Sequence, residues 1–180
     1  MRRRSNRQAI PGRRVLCLGN ELLADDALGW VVAEQCKQLG GESVTYTSAT
    51  GFDLLDHLLD VSDLFVVDTI QTGAAEAGTI HVFQEEDLHA ASGPSPHYVG
   101  LLETLALGRQ LGLSVPKRVV IVAVEMADSL TIGGAMHAAV RAAVPVVVGL
   151  VHRFLDTPLQ LPVRSGKATG GRSRDAALAR

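Results

Sequence analysis

Short apolar runs rich in β-branched residues alternate along this chain with longer segments of helical period, and no other feature narrows the fold as much. Strands are expected at residues 15–18, 44–47, 64–67, 79–83 and 119–124. The run at 119–124 is uninterrupted, as befits a central strand buried on both faces. Between them, residues 27–39 place Leu28, Val31, Val32, Cys36 and Leu39 on one helical stripe, stopped by Gly40 and Gly41. Residues 52–59, 97–112 and 135–155 read as further helices, the last carrying Pro145 as a potential kink. The short, glycine-containing connection before 79–83 suggests a hairpin or edge pairing, not a full crossover. The expected architecture is a three-layer α/β fold, a twisted and mostly parallel sheet of about five strands with helices on both faces.

At 180 residues the chain suits a single domain. Hydrophobic residues make up 47% of it and aromatics only 4%, so the core must be largely aliphatic. Residues 1–13 read as a flexible basic lead-in, 14–157 as the α/β domain, and 164–180 as a disordered tail rich in Gly, Ser, Arg and Ala. A net charge of −2 gives no case for nucleic acid or a membrane surface. The apolar stretches read as too short or too interrupted to span a bilayer, and no signal-like h-region follows the basic start. Cys17 and Cys36 lie in apolar patterns and are expected as buried, reduced thiols. A cytoplasmic monomer is the expectation.

In sheets of this kind sites form at the carboxyl ends of the strands. The first such loop, residues 19–26, contains Glu21, Asp25 and Asp26 and leads into a helix. One acid there can cap the helix, but an adjacent pair is less well explained by capping. Paired carboxylates would also repel a phosphate, and no glycine-rich phosphate motif is present. Asp68 ends the third apolar run, where it can bond a neighbouring loop or face a site. His97 follows Ser95 and Pro96, a plausible N-cap and first helical position, and can face solvent or the same edge. Two carboxylates and an imidazole would suit a borderline divalent metal such as nickel, zinc or iron. Glu125 closes the last apolar run; it could support a residue that contacts the metal, but a bond to a nearby loop is its simpler role. His57, His81, His89, His137 and His152 show no ligand spacing and read as surface or helix-face residues. The local motifs of zinc peptidases, serine hydrolases and dithiol enzymes are absent.

Together these segments resemble the hydrogenase maturation proteases. Leu18-Gly19-Asn20-Glu21-Leu22-Leu23-Ala24-Asp25-Asp26-Ala27-Leu28-Gly29 is similar to that family's G-N-x-L-x-x-D-[DE]-x-x-G opening. Val66-Val67-Asp68-Thr69-Ile70-Gln71-Thr72-Gly73 resembles its V-D-A-x-x-x-G segment, and Ser95-Pro96-His97 its S-x-H segment. The resemblance implies an endopeptidase that removes the C-terminal extension of a nickel–iron hydrogenase large-subunit precursor after nickel insertion. It also implies that nickel, carried by the substrate, is the recognition signal. Carried over position by position, the metal-contacting residues fall on Asp26, Asp68 and His97, with Asp26 and Asp68 as the catalytic carboxylates of an aspartic-type or metal-assisted enzyme. A metal-dependent chaperone without peptidase activity would use the same three groups. A phosphoacceptor receiver domain shares the acid pair and the strand-end Asp, but it requires a Lys where Glu125 stands.

Overall fold

The computed structural model describes residues 11–88, 96–128 and 130–157, and leaves the side chains of residues 88 and 96–99 undescribed. Most of the lead-in and all of the tail therefore lie outside the described residues. Five strands, β1 (Arg13–Leu18), β2 (Val44–Thr47), β3 (Asp63–Ile70), β4 (Ile80–Gln84) and β5 (Arg118–Glu125), form one sheet in the order β2-β1-β3-β5-β4. All neighbours pair in parallel except β4, which runs antiparallel along β5 at the edge. The helices are α1 (Leu28–Gln38), α2 (Leu55–Leu58), α3 (Glu85–Leu88), α4 (Pro96–Gln110) and α5 (Ala138–Asp156), and a 3₁₀ turn, Gly51–Leu54, precedes α2.

Alternation along the strands divides the core between the two faces of the sheet. Val15, Cys17, Phe65, Val67, Val120 and Val122 face α1 and α5. Leu16, Leu18, Leu64, Val66, Ile121 and Ala123 face α2 and α4. The three-layer, mostly parallel architecture expected from the sequence is the one observed. Cys17 and Cys36 are both buried and unpaired, and burial raises the thiol pKa of each, that of Cys36 to about 11.

Several boundaries shift for physical reasons. β3 runs on to Ile70 because Asp68, Thr69 and Ile70 pair with Ala123, Val124 and Glu125, so Asp68 lies within the strand and not at its end. Arg13 belongs to β1, with its guanidinium buried over the Phe154 ring and hydrogen-bonded to the carbonyls of Phe154 and Thr157. It thus caps the carboxyl end of α5, whose last carbonyls have no helical partners. β4 takes the edge-pairing option, not a hairpin with β3, because β5 lies between them.

Helix α5 corrects the bilayer expectation. With 19 residues and a mean hydropathy of 1.6 it is long and apolar enough to cross a membrane. Here Val140, Val144, Val147, Val151 and Phe154 are spent on the core against the sheet.

The entry into α1 is the tightest point of the fold. A Cβ on Gly29 would overlap the Leu18 carbonyl oxygen, and one on Gly19 would overlap the Asp26 carbonyl oxygen, at a φ of +136° that L side chains rarely adopt. The helix thereby starts in contact with the end of β1 and carries the intervening loop across the sheet edge. We expect Gly29→Ala to destabilise the chain by about 3 kcal/mol or more, because a backbone carbonyl has to move. Urea unfolding would measure this, and a midpoint equal to wild type would show that the contact relaxes freely.

Candidate active site

The loop between β1 and α1 is built by its own polar groups. The Asn20 side chain accepts from the Leu22 amide (3.0 Å), and the Asn20 carbonyl accepts from the Leu23 amide (3.0 Å). These bonds curl the chain into a turn. From β2, the Tyr46 hydroxyl donates to the Gly19 carbonyl and accepts from the Glu21 amide, each at 3.2 Å. Burial, followed by its contact with Glu21, pushes the Tyr46 phenol up to about 12, so it keeps the proton it donates.

The two acids at the end of this loop do different work, and neither caps α1. Ala27 occupies the N-cap position with no side-chain bond to the helix. Asp25 is fully buried, and its carboxylate accepts the amides of Ala127 (2.8 Å), Asp128 (2.9 Å) and His137 (2.6 Å). It therefore fastens the β5–α5 connection to the β1–α1 loop. Backbone bonds from Ala24 to Thr131 (3.0 Å) and from Gly133 to Leu22 (2.7 Å) continue the seam.

Asp26 turns towards β3 instead. Its Oδ2 accepts the Asn20 amide (2.8 Å) and its Oδ1 accepts the Thr69 hydroxyl (2.7 Å). Thr69 in turn donates its amide to Asp68 Oδ1 at 2.7 Å. One threonine thus bonds both carboxylates singled out in the sequence. They reach it from opposite sides of the sheet: Thr69 follows the parity of Phe65 and Val67 towards α1, and Asp68 that of Leu64 and Val66 towards α4. Asp68 is fully buried and Asp26 is 8% exposed.

His97 falls in the first turn of α4, on the face that Asp68 shares, and its side chain lies outside the described residues. Among the described residues no three His, Cys, Asp or Glu side chains are grouped to hold a metal ion. Asp26 and Asp68 are thus linked through Thr69, from opposite faces of the sheet, while His97 is placed only by its helix.

Glu125 does bond a nearby loop, as its simplest reading held. Its Oε1 accepts the amides of Thr72 (2.7 Å) and Gly73 (3.0 Å), and its Oε2 accepts the Thr72 hydroxyl (2.9 Å). The His81 ring, read from sequence as a surface residue, sits 3.2 Å from Oε2 through Nε2. Burial raises the Glu125 pKa, but the hydrogen bonds from Thr72, Gly73 and His81 outweigh it and hold the carboxyl below the usual glutamate value. Thr69 and His81 were missed because their roles follow from strand pairing, which no local spacing encodes.

The architecture, a mostly parallel sheet between helices with Asp26 and Asp68 towards the carboxyl ends of its strands, defines a three-layer α/β protein. The solved structure of the hydrogenase-maturating endopeptidase HybD from Escherichia coli superposes with a TM-score of 0.65 at 27% identity, over 77% of this chain and 88% of that one. A [NiFe] hydrogenase maturation protease HybD from Thermococcus kodakarensis shares the fold at a TM-score of 0.65 and 22% identity, over 79% and 98%. In sequence, the hydrogenase expression/formation protein HupM of Azotobacter chroococcum mcd 1 is 26% identical over 156 residues, 81% of this chain and 72% of that protein. The family described as HycI, hydrogenase maturation protease, matches residues 44–153. The chain belongs to the hydrogenase maturation protease family, and it is a peptidase.

Proposed function

We propose that this chain removes the C-terminal extension of a nickel–iron hydrogenase large-subunit precursor after nickel insertion, acting in the cytoplasm as a monomer, with the substrate-borne nickel as its recognition signal. The observation that carries this reading is the Asp26–Thr69–Asp68 linkage at the carboxyl end of the strands, in a chain of this family.

Each oxygen of Asp26 already accepts one hydrogen bond, from Asn20 or Thr69, so the carboxylate is oriented before any substrate arrives. A carboxylate oxygen keeps further lone-pair capacity after one such bond. Asp26, Asp68 and His97 would together offer a mixed oxygen and nitrogen set that suits nickel. Recognition by these groups makes binding depend on metal occupancy of the precursor. An Asp carboxylate then takes a proton from a water as its oxygen attacks the scissile carbonyl carbon. The C–N bond breaks, and the departing nitrogen takes up that proton and leaves as the amine of the released peptide.

The test is mass-spectrometric detection of the released peptide from nickel-loaded and nickel-free precursor. Release from the loaded form alone is expected. Equal release from both would overturn nickel as the signal, and none from either would overturn the assigned substrate.

A further inference from the structure

Glu125 gathers more of the sheet edge than a strand-end carboxylate needs to. Besides the Thr72 and Gly73 groups on its side chain, its backbone amide donates to the Thr79 carbonyl (2.8 Å) and its carbonyl accepts from the Gly78 amide (2.8 Å). Both ends of the loop 71–78, which follows Asp68, Thr69 and Ile70 in sequence, are therefore fixed on one residue. The strand register adds a second relation. Asp68 pairs with Ala123, and Ala123 pairs with His81, so Asp68 and His81 stand at one level with only a buried alanine between them. Side chains at one level across paired strands share a face. His81 thus shares the α4 face with Asp68, its ring stacked on Phe83 and its Nε2 on Glu125.

We infer that Glu125 and His81 are positioning residues of the peptidase site: Glu125 holds the loop 71–78 and the His81 ring beside Asp68, and so sets the geometry in which Asp68 acts. The inference rests on the role proposed for Asp68 above. A buried carboxylate is expensive to place at a strand end, and an apolar or hydroxyl residue would close a strand without that desolvation. A carboxylate saturated by two amides, a hydroxyl and an imidazole is the arrangement by which sites orient the groups next to a metal-contacting residue. The depressed Glu125 pKa agrees with an anion that stays charged while it does so.

Glu125→Gln preserves volume and one acceptor oxygen for the two amides, but removes the charge and faces Thr72 and His81 with an NH₂ group. Two measurements on the full chain test the inference: steady-state peptide release from nickel-loaded precursor, and amide hydrogen exchange across 71–78. In Glu125→Gln, kcat is expected to fall roughly 10–100-fold with KM within about twofold, and exchange at Thr72 and Gly73 to quicken. His81→Ala should lower kcat in the same sense, and His81→Gln, which can still donate to Glu125, should recover part of it. A kcat for Glu125→Gln within about twofold of wild type per folded molecule would overturn the inference. If the wild-type chain itself releases nothing, the function proposed above fails, and exchange decides this point alone: unchanged protection of 71–78 in Glu125→Gln overturns the positioning role, and selective loss of it supports the role.

Discussion

Asp68→Asn is expected to cut peptide release from a nickel-loaded precursor by roughly 10²–10⁴-fold while leaving the chain folded. The substitution keeps the shape of a fully buried side chain, and an Asn oxygen can still accept the Thr69 amide that Asp68 Oδ1 accepts at 2.7 Å. What disappears is the negative charge, and with it both an anionic donor for the ion and a group basic enough to take a proton from water. Asp26→Asn should act in the same direction and add a smaller defect of its own. Its two oxygens receive separate donors, Asn20 and Thr69; an amide oxygen keeps the Asn20 bond only if the Thr69 hydroxyl turns from donor to acceptor to meet the NH₂. Rates and thermal midpoints measured on the same preparations separate the two effects. Release by Asp68→Asn within about tenfold of wild type would remove Asp68 from the chemistry.

The second large effect is on stability, and it comes from the neighbouring acid. Asp25→Ala should destabilise the chain by about 3–5 kcal/mol, since it removes three charge-assisted hydrogen bonds from a fully buried carboxylate to the part-buried amides of Ala127, Asp128 and His137, each worth roughly 1.5–3 kcal/mol before water recovers a share. For a chain of this size that is a drop of roughly 6–20 °C in the unfolding midpoint. It is also a large share of the stability expected of any domain. Hydrogen exchange should rise first in the β5–α5 connection, because Asp25 ties that segment to the β1–α1 loop. Calorimetry would check the size, and a midpoint within about 2 °C of wild type would mean that water replaces the carboxylate at all three amides. Adjacent acids thus have separable phenotypes: Asp25 is expected to affect folding, and Asp26 turnover.

Much of the fold could be read without coordinates. The strands at 44–47 and 119–124 and the helix over 27–39 were marked by composition and period, since aliphatic β-branched runs and a helical stripe each suit one kind of buried surface. The connection before β4, too short for a crossover, left a hairpin or an edge pairing, and the sheet order selected the edge. The glycines of the first motif were visible as letters. Their reason, that Gly19 and Gly29 admit backbone carbonyls where a Cβ would sit, required the packed chain. The family was also legible, because three short segments in the expected order carry enough chemistry to be distinctive, and the match over residues 44–153 agrees.

The sequence by itself determined the layers, the strands and the acids available at the edge of the sheet, because period and residue type act locally. Tertiary structure alone decided which acid faces which partner. Asp25 and Asp26 are neighbours in the chain, yet one closes onto residues 127–137 and the other onto Thr69. Glu125 and His81 meet only because β4 runs antiparallel along β5. Such pairings depend on sheet order and register, which are set by the global burial of apolar surface and not by any residue's near neighbours.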